Sequence, residues 1–388
     1  MPAEEEPVSR SAPTHLRVAI VGAGVIGLSI AWRLAQRGAK VAVFDRDETG
    51  RGASHAAAGM LAACAEVEPG EERLFTLNRA SQALWPDFAA ELERASGQSI
   101  DLRREGTLVV ALTADDRARL THHLEFQHGL GLTLEWLSGA QAKRREPHLN
   151  PNLIGAVFSP EDHQVDNRKV AAALRVAAGR AGVEIHEHAP VERIAIEGGR
   201  ASGVVVAGAA HRADVVVVAA GAWSRAIEGL TVRPPVRPVK GQMLALRMDA
   251  RAPLLRHVVW APGVYLVPRH DGRLLVGATV EEKGFDPNLT AGGQLALLQA
   301  AWRVLPGIEE LPIDEAWVGF RPGSRDDAPI LGAGPVPGLV YATGHHRNGI
   351  LLTPITSQAI AALILEHRVD PLIAPFSLER FTPAAAAE

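Results

Sequence analysis

A glycine pattern near the start, Gly22-Ala23-Gly24-Val25-Ile26-Gly27, constrains this chain more than any other feature. It follows an apolar, largely β-branched run at 16–21 and opens a stretch with helical spacing through Ile30, Leu34 and Gln36 that stops at Gly38. Residues 41–45 read as the next strand. Strand, glycine turn, helix and strand within about 30 residues is the unit of a parallel sheet. Gly22 permits the tight turn, Gly24 lets a pyrophosphate approach the backbone, and Gly27 lets the helix lie close on the strand. The helix N-terminus then offers amides to phosphates. Asp45, at the end of the second strand, is placed to accept from ribose hydroxyls. A triphosphatase-type loop is excluded, because Leu28-Ser29 stands where Lys-Ser/Thr is required.

The 388 residues predict two or three domains at roughly 150 residues each. With 47% apolar and 22% charged residues the chain can bury a large core without disulfides or structural metal. The single cysteine, Cys64, rules out an intrachain disulfide and multi-thiolate zinc sites, and fits a reducing compartment. A net charge of −4 argues against nucleic-acid binding. No metal-ligand spacing, HExxH or GxSxG is present, so no metal is expected. Residues 1–15 lack the order of a signal peptide and read as a disordered tail. The long uncharged stretches are too short or too broken by proline and glycine to span a bilayer. A cytoplasmic protein without an integral membrane segment is the expectation.

Further along, 82–94 reads as an amphipathic helix whose first turn is troubled by Pro86, 107–112 as a strand, and 114–129 as a charged helix. A second α/β stretch follows, with a helix at 168–180 and strands at 183–188, 191–196 and 201–207. Residues 214–220 form a nearly continuous apolar strand ending in Gly221, as a fully buried strand does. From Pro234 the texture becomes antiparallel: 264–268 and 274–278 flank His270-Asp271-Gly272-Arg273, and Asp-Gly is a strong hairpin signal. A helix at 292–304, a strand at 340–342 and an apolar helix at 353–366 complete the pattern. The fold class is α/β: a Rossmann-like dinucleotide-binding domain from 16–85, 151–234 and 320–388, interleaved with an antiparallel-sheet α+β substrate domain from 86–150 and 235–319.

Beyond the glycine loop, the run Gly52-Ala53-Ser54-His55-Ala56-Ala57-Ala58-Gly59-Met60 lets backbone lie against a flat ring or a diphosphate. The strand ending in Gly221-Ala222-Trp223 resembles a second flavoprotein fingerprint. With Gly319-Phe320-Arg321-Pro322-Gly323-Ser324 and Gly344-His345-His346-Arg347-Asn348-Gly349-Ile350-Leu351, these residues resemble the D-amino-acid oxidase superfamily of FAD-dependent enzymes, and within it the glycine-oxidising branch of thiazole (thiamine) synthesis. The resemblance covers nearly all of the chain after residue 15. It implies that FAD meets Val25, Ile26, Asp45, Arg46, Ala53, Ser54, Ala58, Gly59, Met60, Val191 and His345, His346, Arg347, Asn348, Gly349, Ile350 and Leu351. It implies that substrate meets Arg321 and Arg347, with Tyr265 nearby. Asp45 departs from the family's usual Glu, and its shorter arm still reaches ribose.

The residues support that picture on their own terms. A buried amino-acid carboxylate needs a neutralising partner, and the arginine fork suits it best. Arg321 stands between Phe320 and Pro322 with glycines outside them; ion pairing with Asp326 or Asp327, for which Arg325 competes, is the alternative. Arg347 lies in a glycine-flanked turn, where a salt bridge closing the turn is the rival role. Tyr265 could present its hydroxyl to the carboxylate or be an ordinary strand aromatic. Thr353 as N-cap and Pro354 as first residue would aim the positive end of the last helix at 345–350. No cysteine lies near the C-terminus, and His55 is one residue out of register for a His-x-x-Gly tether. Non-covalent FAD is therefore expected.

The activity implied is oxidation of glycine, sarcosine or a small D-amino acid by hydride transfer from Cα to flavin N5. It would yield an oxo acid such as glyoxylate, ammonia and, from dioxygen, hydrogen peroxide. The imine would supply thiazole-synthesis enzymes, and a homo-oligomer is expected. A quinone-linked D-amino-acid or sarcosine dehydrogenase, a flavin-binding subunit without turnover, and a plain NAD module remain alternatives at this point.

Overall fold

Alternation along the first strand sets the layering of the molecule, which a computed structural model describes over residues 16–381. The expected tail at 1–15 lies outside the described residues. In strand Arg17–Val21, Val18 and Ile20 join one apolar layer while Ala19 and Val21 join another, as a two-residue period requires. Lys40–Phe44 and Val215–Val218 flank it in parallel. The six-stranded sheet runs Ile330–Ala333, Leu339–Thr343, Val215–Val218, Arg17–Val21, Lys40–Phe44, Glu184–His186, and only its first strand is antiparallel to its neighbour. Helices Val25–Gln36, Glu72–Ser96, Asn167–Arg180 and Thr353–Glu366 cover one face through Trp32, Trp85, Leu174 and Ile360. A three-stranded meander, Val191–Glu197, Arg200–Val206 and Ala209–Arg212, covers the other.

The second unit is an eight-stranded sheet in the order Ile313–Gly323, Arg237–Arg247, Arg273–Gly277, Val264–Pro268, Val258–Ala261, Thr107–Ala111, Gly155–Ser159, Glu135–Ser138. Its pairings are antiparallel except that of Val258–Ala261 with Thr107–Ala111. The Asp-Gly hairpin joins Val264–Pro268 to Arg273–Gly277 as its sequence predicts. Leu244, Leu266 and Val276 pack with Leu297 and Ala301 of helix Ala291–Val304. Their alternates Met243, Val267, Leu275 and Trp317 pack toward Ala56, Ala58 and Met60 of the dinucleotide unit. One face of this sheet is thereby a domain core and the other a wall of the site.

Three details differ from the sequence reading. The helix expected at 82–94 begins at Glu72 and holds Pro86 in its interior. Leu74, Leu77, Trp85, Phe88 and Leu92 form one buried stripe, and that packing outweighs the roughly 3 kcal/mol an interior proline costs. The break placed at 85/86 falls within this helix, whose buried face belongs to the dinucleotide core. Strand Gly155–Ser159 and residues 320–323 pair in the antiparallel sheet, although they lie in stretches assigned to the other unit. Finally, Thr353 is not the cap of the last helix. Leu352 holds that position, and Thr353 Oγ1 donates back to the Gly349 carbonyl at 2.9 Å. Among the described residues no helix is long and apolar enough to cross a membrane.

Candidate active site

A cavity of about 610 Å³ extends from the carboxyl ends of the parallel strands, at Val21, Asp45 and Ala219, to the inner wall of the antiparallel sheet at Met243, Tyr265 and Arg321. Such ends, where the chain turns to either side of the sheet, are where open α/β folds take ligands. Every residue singled out above for FAD lines this cavity except Gly27. Gly27 acts one step back, since a Cβ there would run into the carbonyl oxygen of Gly22. Gly22 itself, at φ +109, would with a Cβ meet the Ala219 carbonyl oxygen at 2.5 Å. The glycines therefore let strand, helix and neighbouring strand converge.

At the dinucleotide end, the Val25 amide donates to Ser54 Oγ at 3.0 Å, which ties the small-residue run to the helix start. Asp45 Oδ2 accepts from the Ala23 amide at 2.6 Å and Oδ1 from the Asp47 amide at 3.0 Å. Burial is the main influence on this carboxyl and raises its pKa above the ordinary range. Arg46 lies 3.7 Å over the Trp223 ring, which stacks on Phe285. At the far side, the turn at 345–351 is pinned by the Leu351 carbonyl, which accepts from Ser81 Oγ at 2.6 Å and Trp85 Nε1 at 2.9 Å. His345 is buried against Thr356 Oγ1 at 3.2 Å, and burial drives its pKa down to about 3, so its ring is neutral. His55 is not among the residues lining the cavity. The glycine loop, the helix start and the small-residue run form an open cradle, in which a Cβ at Gly24 would meet Ser54 Oγ at 3.1 Å. These residues fit a flavin dinucleotide.

The other end carries the substrate candidates. Gly241, Gly277 and Gly319 sit on adjacent strands beside Arg321 and Tyr265. The Arg321 guanidinium lies over Gly241: a Cβ there would meet Nη1 at 2.5 Å. The Tyr265 ring lies over Gly277 in the same way, with its hydroxyl 3.6 Å from Met243 Sδ. Arg321 Nη1 donates to the Thr279 carbonyl at 3.1 Å, and among the described residues no carboxylate is in ion-pair reach of this guanidinium. The rivals foreseen for it are engaged elsewhere, Asp326 with Arg380 and Asp327 with Arg237. Burial raises the Tyr265 phenol pKa, with Arg321 opposing that rise. The segment after Thr279 is held by Lys240, a fully buried ammonium that donates to Asp286 Oδ2 at 2.8 Å and the Asn288 carbonyl at 2.6 Å.

Arg347 departs from its expected role. It lines the cavity, but its Nε is 3.1 Å from Glu66 Oε2 and its Nη2 is 2.9 Å from Glu71 Oε2. It is the clasp that closes its turn, not a second open fork. Glu66 also lines the cavity and was not singled out from sequence, although it is the first carboxylate after the small-residue run. Burial lifts its carboxyl to about 7 against the pull of Arg347. Trp260, Met243, Gly241 and Gly277 were likewise missed, because only strand register brings them to one face with Gly319.

An elongated dinucleotide cradle ending beside an arginine that has no carboxylate partner among the described residues defines a flavin-type oxidoreductase site. A family model described as FAD dependent oxidoreductase (DAO) matches residues 17–363, and the chain belongs to this family of FAD-dependent oxidoreductases. It is 40% identical to a glycine oxidase of Geobacillus kaustophilus, over 94% of this chain and 96% of that one. The crystal structure of glycine oxidase from that organism superposes with a TM-score of 0.87, covering 94% and 99% of the two chains. The bifunctional protein ThiO/ThiG of Synechocystis is 41% identical over 94% of this chain, which spans only 54% of that relative's length. A structure of iminodiacetate oxidase from Chelativorans has a TM-score of 0.85 at 31% identity, covering 93% and 98%.

Proposed function

We propose that this chain is an amino-acid oxidase whose substrate is glycine, with sarcosine and small D-amino acids as alternatives of the same class. The observation that carries this reading is Arg321, a guanidinium at the cavity wall with unmatched charge. A substrate carboxylate supplies the missing partner, and the fork bonds both of its oxygens. The Tyr265 hydroxyl adds a donor on the same wall. Bound FAD supplies the hydride acceptor for the substrate Cα–H. The chain's contribution is positional: Arg321 and Tyr265 fix the carboxylate, and the glycine-lined wall lets the small Cα group lie close to the cofactor. An amine that binds neutral needs no side-chain base, and the residues beside Arg321 offer none that is free. The resulting imine hydrolyses to glyoxylate and ammonia, with dioxygen as terminal acceptor yielding hydrogen peroxide. The fused ThiO/ThiG relative supports delivery of that imine to thiazole synthesis.

The test is Arg321→Ala. Stranding a buried charge costs roughly 2–5 kcal/mol, about 1.5 to 3.5 decades at ~1.4 kcal/mol per decade. Peroxide-coupled kcat/KM for glycine should fall by that factor while flavin content stays near wild type. Arg321→Lys should recover only part, since an ammonium lacks the fork. Normal glycine kinetics in Arg321→Ala, or loss of its flavin, would overturn the assignment. A wild-type enzyme that reduces a quinone but yields no peroxide would replace dioxygen with a quinone as acceptor.

A further inference from the structure

Of the three arginines that line the cavity, Arg46 lies over the Trp223 ring, and the other two are in opposite states. Among the described residues Arg321 has no carboxylate within ion-pair reach, whereas Arg347 is held by two, Glu66 at 3.1 Å and Glu71 at 2.9 Å. Glu66 is a built part of the wall. The Cys64 and Ala65 amides that precede it donate to Asp162 at 2.9 and 2.6 Å, and Gln82 Nε2 holds the same buried carboxylate at 3.0 Å. The Glu66 side chain is 14% exposed and cannot swing away without breaking its contact to Arg347. With all four side chains charged, both glutamates are engaged by Arg347, and Arg321 is left without a carboxylate until substrate arrives. A single carboxylate is then matched by Arg321. A second carboxylate would have to displace Glu66 or Glu71 from Arg347, or lie beside them unpaired.

Resting on the amino-acid reading above, we propose that Glu66 is the residue that restricts this enzyme to substrates with one carboxylate. It does so by occupying Arg347, the cavity-lining arginine other than Arg321 itself and the Arg46 that lies on Trp223. Like-charge contact at a buried site is a strong discriminator, because it acts against the wrong ligand without weakening the right one. Glu66→Gln keeps the shape of the side chain and removes the charge, so Arg347 gains capacity for an incoming carboxylate.

The experiment compares glycine with its N-carboxymethyl derivative, iminodiacetate, in the flavin-loaded enzyme at pH 8.5. That is above the value of about 7 to which burial raises Glu66. The ratio of kcat/KM for iminodiacetate over glycine should rise about tenfold or more in Glu66→Gln. Glu66→Asp, which keeps the charge, should stay near the wild-type ratio. The same comparison is made by binding alone, titrating the non-oxidisable acids glycolate and oxydiacetate by calorimetry. Oxydiacetate should gain affinity relative to glycolate in Glu66→Gln. Should that variant lose its fold, Glu71→Gln removes the other carboxylate from a more exposed position and should shift both ratios the same way, less strongly. Unchanged or lowered ratios in the folded variants would overturn the proposal. Failure of the loaded wild type to oxidise any amino acid would overturn the function reading instead, and the binding ratio would still judge Glu66.

Discussion

Gly241→Ala tests the anchor from the opposite strand, without touching any polar group. Gly241 pairs with Gly319 across the sheet, two residues before Arg321 on that strand. A Cβ at 241 would lie 2.5 Å from Arg321 Nη1 and 3.0 Å from both Cζ and Nη2, where ordinary contact begins at 3.4 Å. The guanidinium must therefore retreat by roughly an ångström, and a misplacement of ~1 Å costs on the order of 100-fold in rate. The clash is with the far end of a flexible side chain and not with backbone, so the fold should adjust cheaply. The expected phenotype is a folded, yellow protein whose kcat/KM for glycine is down about 100-fold, with a thermal midpoint within a few degrees of wild type. Steady-state peroxide formation and flavin absorbance measure both halves. Wild-type glycine kinetics in a flavin-loaded Gly241→Ala would refute the reasoning, because the fork's position would then not matter to substrate.

Two more perturbations follow from the same geometry. Gly27→Ala drives a Cβ into the backbone carbonyl of Gly22 and should cost about 3 kcal/mol, the upper end of ordinary overpacking. Gly24→Val meets only Ser54 Oγ near its first carbon, at 3.1 Å, so it should fold but copurify colourless; thermal unfolding and flavin content separate the two. Acid should destabilise the protein through His345. The unfolded ring takes its proton near 6.5 and the buried one only at about 3, so the unfolded chain binds more protons between those values and stability falls as pH drops through them. His346, held down to about 4 chiefly by burial, works in the same direction. Glu66, raised to about 7, works the other way over the same range, so the test is a difference: from pH 7 to pH 5 the urea midpoint of the wild type should lose more, or gain less, than that of His345→Asn.

Local chemistry made much of this molecule readable. The first strand, its glycine turn and the following helix are dictated by residues adjacent in sequence, as is the Asp-Gly hairpin that carries Tyr265. Cavity-lining residues were legible where small residues run together, as at 52–60, or where glycines bracket a charged turn, as at 344–349. What escaped depends on non-local pairing. Gly241 and Gly277 have meaning only through the register that sets them against Gly319 and Tyr265. The state of Arg347 is decided by Glu66 and Glu71, from the other end of the chain. The extent of helix Glu72–Ser96 was hidden because polar Asn78, Ser81 and Gln82 stand at buried positions of its apolar stripe.

The turn at 345–351 closes the cavity by hanging the Leu351 carbonyl on Ser81 and Trp85, roughly 270 positions earlier in the chain. The central sheet has the same long reach, since Val215–Val218 lies between Arg17–Val21 and Leu339–Thr343. A nascent chain emerging from the ribosome would thus expose the valine-rich edge of its central strand until the last parallel strand arrives. Long-range pairing of this kind is slow and prone to aggregation. Cofactor capture must then be a late event in biogenesis. A ligand that binds only the completed cavity draws the population toward the folded state in proportion to its free concentration over its Kd. The supply of flavin in the producing cell would therefore set the yield of folded protein as well as its activity.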